Sequence, residues 1–363
     1  MGEFLWSLLG HLYEPILKLR HDRWRAALPA PSDLGVPLLP KVALVLVFQP
    51  RGIAASLLVT LRHLVEQGYA PLVISNAPVS QSDRARLFPM SWRLIERPNF
   101  GYDFGGYRDG ILLLQHWGVR PERLIVMNDS IWMPLAPGST LIARMETASG
   151  DIIGGIEHPD VPRRSGTVRA GFIESYLYLV NRTAWDHPAF CRFWQGYRLS
   201  SNKMNAVYRG ERGFSRRMRA AGLSVRGLFA PQVLLDALKG QETDALRLTL
   251  QYAAYTEPDL KEAGADLLAE VTSDWPKRVL DHVRATSSRR RFSSSFPWPS
   301  LALLQLDLMK KSAGPSSGSA LSLHSLMRRQ YLRAVEAGDL PIPYPEVLSE
   351  IESVEGLSPQ PPH

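Results

Sequence analysis

Between Arg97 and Leu135 a glycine- and aspartate-rich stretch leads, one helix later, into an apolar strand that ends in polar residues. This order constrains the fold more than any other part of the chain. The first cluster reads Arg-Pro-Asn-Phe-Gly-Tyr-Asp-Phe-Gly-Gly-Tyr-Arg-Asp-Gly over 97–110, and the second reads Arg-Leu-Ile-Val-Met-Asn-Asp-Ser-Ile-Trp-Met-Pro-Leu over 123–135. The apolar run from Leu124 to Met127 predicts a strand covered on both faces. Polar residues at the carboxyl end of such a strand lie where open α/β sheets bind ligands. Two such clusters one helix apart imply a nucleotide-type ligand site.

The flanking sequence supplies the rest of a sheet. Residues 41–48 (Lys-Val-Ala-Leu-Val-Leu-Val-Phe) predict a central strand, 54–67 a helix stopped by Gly68, and 70–75 a second strand. This β-α-β order implies a parallel pair with a right-handed crossover. A strand over 92–96, a helix over 109–117 opened by Asp109, and strands over 123–127, 152–156 and 175–181 follow. Helices are expected over 188–197 and over 211–221, the latter opened by Glu211. From about 236 the pattern turns helical, best at 243–255 and 260–271, with a Ser/Arg-rich break at 287–295 and a flexible Gly/Ser/Pro stretch at 312–319. The expected organisation is an N-terminal amphipathic helix and Pro-rich linker (1–40), an α/β domain with a mainly parallel central sheet (41–235), a helical C-terminal extension (236–345) and a disordered tail (346–363).

With 45% apolar and 21% charged residues the chain is of globular composition. Its net charge of +7 suits an anionic lipid surface, a phosphorylated substrate or nucleic acid, and equally a generally basic exterior. No compact basic and aromatic motif points to nucleic acid, which is not expected as a partner. The single cysteine, Cys191, excludes an intrachain disulfide framework and a cysteine-based zinc site, in keeping with a reducing, cytoplasmic setting. No run of about 18 apolar residues is present. Phe4, Leu5, Leu8, Leu9, Leu12, Ile16 and Leu17 recur at helical spacing, with Lys18, Arg20, Arg23 and Arg25 after them. That segment could lie on anionic lipid or pack on the α/β domain.

Familiar chemistry is absent. There is no G-x-G-x-x-G after the first strand, no phosphate-binding Walker sequence, no H-E-x-x-H and no G-x-S-x-G. Gly101, Gly105, Gly106 and Gly110 instead permit close backbone approach. Asp103 and Asp109 would repel phosphate, so they suit hydrogen bonds to base, ribose or sugar hydroxyls, or the capping of a helix. Asn128-Asp129-Ser130 offers one carboxylate, Asp129, to a hard cation such as Mg²⁺ or Mn²⁺, and reads equally as a capped turn. Glu174, Glu211 and His158 are candidate bases, each with a plainer role as a surface group, a helix-terminal charge or a loop residue. Arg163, Arg164 and Arg169 could hold a diphosphate or stand solvated.

These residues carry a resemblance. Asn99 to Gly110, Met127 to Ser130, and Glu-Ser-Tyr-Leu-Tyr-Leu-Val-Asn at 174–181 with Phe193-Trp194 are similar to segments of the rhamnan synthesis protein F family of bacterial polysaccharide glycosyltransferases. Phe296-Pro297-Trp298-Pro299-Ser300 resembles a further family segment, with Phe296 in place of the usual asparagine. The resemblance implies a GT-A-like nucleotide-diphospho-sugar transferase fold over about 41–235. It implies donor contacts from Asn99, Gly101, Tyr102, Asp103, Gly105, Gly106, Asp109, Asn128, Asp129 and Ser130, with Asp129 the candidate for a divalent cation. The expected activity is transfer of a sugar, rhamnose by the family's name alone, from a nucleotide-diphosphate donor to a cell-surface or lipid-linked glycan, with inversion. Such an enzyme would be cytoplasmic and peripheral to the membrane. The alternative is a non-catalytic glycan- or partner-binding subunit of a polysaccharide assembly complex.

Overall fold

The computed structural model describes residues 2–28, 31–162, 166–200, 202–312 and 321–356, with the backbone alone for 2–13 and 203. The chain forms two compact units, one of residues 1–129 and 143–228, the other of 130–142 and 229–363. The last division falls between Leu228 and Phe229, and the segment 130–142 is grouped with the second unit, an exchange that local patterning does not record.

The first unit is built on strands β1 (Lys41–Val47), β2 (Tyr69–Ser75), β3 (Arg93–Glu96), β4 (Arg123–Asn128), β5 (Ile152–His158), β6 (Leu177–Asn181) and β7 (Val225–Phe229). Their order across the sheet is β3-β2-β1-β4-β6-β5-β7, with a short strand Phe172–Ile173 on β5. β1 runs parallel to β2 and β4, β2 parallel to β3, and β6 antiparallel to β4 and β5. The fold is therefore α/β with a mainly parallel central sheet, as expected. Burial explains it: Val42 to Val47 and Leu124 to Met127 are shielded on both faces. Each such side chain contributes about 1.5–3 kcal/mol of apolar burial. The register aligns the carboxyl ends. Leu46 pairs with Asn128 and Val47 with Ser75, while the amides of Asp129, Asn76 and Arg97 donate to the carbonyls of Leu46, Val47 and Ser75.

Helices α1 (Gly2–Ala26), α2 (Ala55–Glu66), α3 (Gln81–Leu87) and α4 (Tyr102–His116) belong to this unit. α4 corrects one expectation: it begins seven residues before Asp109, so the glycine cluster is helix, not turn. Only Gly101 has a left-handed backbone, φ 85°, and it caps the helix. Gly105, Gly106 and Gly110 are buried where an added Cβ would collide with the Phe100 carbonyl oxygen, the Leu46 side chain and the Leu44 side chain. The missing side chains at Gly106 and Gly110 let α4 lie close on β1, and that at Gly105 admits the turn before the helix. Glu211, expected to open a helix, lies instead in a π-helical turn, Val207–Arg212, between helical segments Lys203–Ala206 and Gly213–Ala220. α1 does not stand apart. Glu14 and His21 are buried in the unit, Glu14 accepting from Ser200 and from Arg209 Nη1 at 3.1 Å.

The second unit is helical as expected, with helices Pro231–Leu238, Thr243–Gln251, Pro258–Ala269, Trp275–Arg289, Leu323–Glu336 and Pro345–Glu355 the longest. Strand Ile131–Trp132 pairs with Met309–Lys310. The expected break at 287–295 is mostly helical, through Arg289 and again over Phe292–Ser295. The expected disorder from 346 is also corrected. Pro345–Glu355 is a helix whose Val347 and Ile351 are buried and whose Glu355 pairs with the buried Arg328 at 2.5 Å. The stretch 312–319, expected to be flexible, lies outside the described residues beyond Ser312, as does the end from 357. Among the described residues no helix is long and apolar enough to cross a membrane.

Alanine in a helix interior is ordinarily favoured over glycine by about 1 kcal/mol. At Gly105 the clash is with backbone, which cannot rotate away, and overpacking costs about 1–3 kcal/mol. Gly105→Ala is expected to lower the stability measured by urea unfolding; an increase would show that α4 does not depend on this close approach.

Candidate active site

The carboxyl ends of β1 and β4 and the first turns of α4 bring together residues far apart in sequence. The Phe48 amide donates to Asp129 Oδ2 at 2.9 Å, fixing that carboxylate at the sheet edge. Asn128 is buried, and its amide donates to the Tyr176 carbonyl. That contact ties β4 to the 174–176 segment. Tyr107, one turn after Asp103 on α4, donates its hydroxyl to the Ser175 carbonyl at 2.9 Å. Ser175 in turn gives its amide and hydroxyl to Glu211 Oε1 at 2.9 and 3.0 Å. Burial pushes the Tyr107 hydroxyl well above its usual pKa, and the charges of Asp103, Asp129 and Glu211 add to the push, with Tyr178. Tyr107, Ser175 and Glu211 thus form one hydrogen-bonded chain, with Asp103 one turn before Tyr107 on the same helix.

Beside this cluster, His158 Nε2 and Glu174 Oε1 are 2.7 Å apart, and Glu174 is 2% exposed. The pair follows from register: His158 faces Phe172 across the short antiparallel ladder, their rings stacked at 4.6 Å, and Glu174 lies two residues on. All three expected bases thus come to one edge of the sheet, Glu211 fixed by Ser175 and Glu174 by His158.

Of the expected donor-binding residues, Asn99, Tyr102 and Asp103 are exposed, and Tyr102 takes a positive φ of 52°. Asp103 in the first turn of α4 also complements the helix dipole. Asp129 and Ser130 are half-buried. Gly101, Gly105 and Gly106 are buried against Leu199, Phe100 and Leu46 and serve packing. Asp109 is the chief revision. It does not open a helix and is 1% exposed: its Oδ2 accepts from Arg97 Nε at 2.7 Å and meets His21 Nε2 at 2.6 Å. Its Oδ1 lies 3.7 Å from Arg25 and 3.8 Å from Arg108. Arg169 is exposed in a short hairpin, and Arg163 and Arg164 lie outside the described residues.

The residues that sequence reading overlooked are those that hold this arrangement. Arg97 also donates to Asn76 Oδ1 and to the Phe100 carbonyl, both at 2.6 Å, and so braces the turn before α4. Arg108 donates to the Trp194 carbonyl and to both oxygens of Asp22 on α1. Two arginines flanking the motif were the signal available, since an apolar setting leaves an arginine buried only when it is paired.

A divalent cation fits this edge only in part. Among the described residues no group of three or more His, Cys, Asp or Glu side chains is placed to hold a metal. Asp129 alone could anchor a cation that takes its remaining ligands from a diphosphate and water, as Mg²⁺ commonly does.

The family model for rhamnan synthesis protein F matches residues 72–253, which contain α4, the β4 end, Glu174 and Glu211. The chain belongs to that family. A relative in Sinorhizobium fredii (strain NBRC 101917 / NGR234), the uncharacterized protein y4gN, is 32% identical over 235 residues, covering 65% of this chain. The match spans 60% of that relative's length. Among solved structures, the mannosyltransferase PcManGT of Pyrobaculum calidifontis, in complex with GDP-Man and Mn²⁺, is similar with a TM-score of 0.30. It shares 12% identity over 96% of this chain and 93% of that one. The mannosyltransferase Ktr4p of S. cerevisiae scores 0.30 at 7% identity over 53% of this chain and 69% of that one. A 4-diphosphocytidyl-2C-methyl-D-erythritol synthase scores 0.32 at 13% identity over 52% of this chain and 87% of that one. Likenesses at these scores carry no argument about the site.

Removing one partner of a buried ion pair costs about 3–5 kcal/mol, so Asp109→Asn is expected to destabilise the protein by that order in urea unfolding. Asp22 gives the pH dependence. Burial would raise its pKa, but hydrogen bonds from Arg108 and Lys18 outweigh it and hold the carboxyl at about 2. A lowered folded pKa adds stability above the ordinary carboxylate range, and that stability is lost as pH falls towards about 2. Asp22→Asn should flatten this acid limb of the unfolding free energy; an unchanged limb would remove Asp22 from the network.

Proposed function

We propose that this protein is a glycosyltransferase of polysaccharide synthesis that moves a sugar from a nucleotide-diphosphate donor to a cell-surface or lipid-linked glycan. The observation that carries the reading is the hydrogen-bonded chain from Tyr107 through Ser175 to Glu211, beside the sheet edge where the Phe48 amide fixes Asp129. Family membership supports it. In this reading the donor's nucleoside lies along Asn99 to Asp103, with Asp103 and Asp129 receiving hydrogen bonds from ribose or sugar hydroxyls. Asn128 and Ser130 flank Asp129 as polar donors. A cation anchored by Asp129 would supply positive charge to the diphosphate.

Glu211 is the proton acceptor of the proposal. Its Oε1 is fixed by two hydrogen bonds from Ser175, which orients the carboxylate before substrate arrives. The acceptor hydroxyl oxygen forms the new bond to the anomeric carbon as the bond to the diphosphate oxygen breaks on the opposite side. The hydroxyl proton passes to Glu211. The inverted product, and rhamnose as the sugar, belong to the proposal. Glu174 and His158 border the acceptor side as a hydrogen-bonded pair.

Thermal shift with dTDP-, UDP-, GDP- and CMP-sugars, each with and without Mg²⁺ or Mn²⁺, is expected to single out one nucleotide class. Ligand at about 100 times its dissociation constant adds about 2.7 kcal/mol. With that donor, Glu211→Gln should lower kcat about 10²-fold or more with little change in donor KM. Silence across the whole panel would instead favour a glycan- or partner-binding subunit.

The outer face of α1 extends the proposal to a membrane. Ile16 and Leu19 are 61% and 59% exposed, and Arg20 and Arg23 are exposed beside them, while Glu14 and His21 face inward. An anionic lipid surface matches apolar and basic groups so arranged. Flotation with phosphatidylserine-containing vesicles should carry the wild type upward and leave Ile16→Ser/Leu19→Ser behind; equal flotation would remove this face from membrane contact.

A further inference from the structure

The π-helical turn aims two neighbouring side chains of opposite charge at one segment. Glu211 reaches Ser175, whereas the Arg212 guanidinium lies over the Phe172 ring, 5.2 Å from its centroid. The same ring stacks on His158, which holds Glu174. Arg212 therefore stands among the acids of the candidate site. Among the described residues it nevertheless forms no ion pair or hydrogen bond, and its Nε is buried without a partner.

Nearby arginines show what acceptors within reach would do. Arg219 satisfies itself on Glu157, the Gly171 carbonyl and the Val225 carbonyl. Arg209 pairs with Glu14. Arg212 follows Glu211 in the chain yet pairs with neither Glu211 nor Glu174, whose Oε1 atoms are engaged by Ser175 and His158. A buried donor left unmet costs about 1–3 kcal/mol, and an orphan of this kind calls for an explanation such as an absent ion. A guanidinium presents a planar fork that matches phosphate oxygens two at a time.

We propose that Arg212 is the diphosphate-binding residue of this site, its guanidinium seated on Phe172 so that the free donors meet the donor's phosphate oxygens. The proposal rests on the glycosyltransferase reading and deepens it. Charge on the leaving diphosphate is met by a fixed protein cation, in addition to any metal that Asp129 anchors. Because the guanidinium is held before the bond breaks, no reorganisation is needed as charge develops.

The test is calorimetric titration with UDP, GDP and dTDP and the corresponding nucleosides, in EDTA and in Mg²⁺, for wild type and Arg212→Gln. The wild type should bind one nucleoside diphosphate in EDTA. Arg212→Gln should bind it about ten- to hundredfold more weakly, with affinity for the nucleoside unchanged. Equal diphosphate affinity in a variant of unaltered melting temperature overturns the assignment and leaves the transferase reading standing. Failure of the wild type to bind any nucleoside or its diphosphate, in either condition, ends both. A measurement on the wild type covers a variant that does not fold. Phenylglyoxal labelling followed by mass spectrometry should show Arg212 protected by the bound diphosphate while the exposed Arg216 stays reactive. Labelling of Arg212 undiminished by a bound diphosphate overturns the proposal.

Discussion

The close seating of α4 on β1 is the constraint from which the site follows. With Gly106 and Gly110 against Leu46 and Leu44, the helix axis and its rotation are both fixed. Every other side chain on α4 then has its direction set. Tyr107 turns to the Ser175 carbonyl with Asp103 one turn before it, and Arg108 and Asp109 turn to α1. A side chain at either glycine would lift the helix and move all four groups together. The aromatic cluster of Phe104, Trp194, Tyr197 and Phe214 fills the opposite side and resists that movement.

Behind this helix lies a group of charges that an apolar interior would normally reject. Arg97, Arg108, Asp109 and His21 are all buried, with Asp22 and Arg25 at the border. Such networks seldom add much net stability, because desolvation offsets the Coulomb attraction. Their geometric demand is the more useful property. Arg97 reaches Asp109, Asn76 and the Phe100 carbonyl in a single placement, and Asp109 meets His21, so α1, the end of β2 and the turn before α4 must register together. The N-terminal helix thereby becomes part of the support for the turn that begins the site.

What the sequence disclosed, and what it concealed, divides along physical lines. Strands were legible because β1 and β4 are apolar without interruption, a pattern only a sheet covered on both faces requires. The start of α4 was not, since glycine in a helix and glycine in a turn look alike until the partner surface is known. Asp109 was misread for the same reason: its meaning depends on Arg97 and on His21, 88 residues away. The helix at Pro345–Glu355 hides among Pro, Glu and Ser, and its apolar side is short: Val347 and Ile351, one turn apart, with Val354 packed beside them on the core. The acids of the candidate site were named by type and by their place after strands, while Tyr107, Ser175 and Arg212 carried no local mark.

The π-helical turn has a consequence for the whole 203–220 segment. Among its buried residues, Ala206, Gly210, Phe214 and Met218 recur every fourth position, with Gly213 and Ser215 flanking Phe214. In an unbroken α-helix each such step drifts by about 40°, so across three steps the stripe would wander about a third of the way round. One wide turn absorbs much of that drift and keeps the inner face aligned from end to end. The turn thus acts as a phase correction in the helical repeat. Loss of a single residue within 207–212 would restore ordinary winding and swing Glu211 and Arg212 out of step with Phe172 and Ser175. In this segment length is as constrained as composition, and a family member one residue shorter here would carry the same letters in a different geometry.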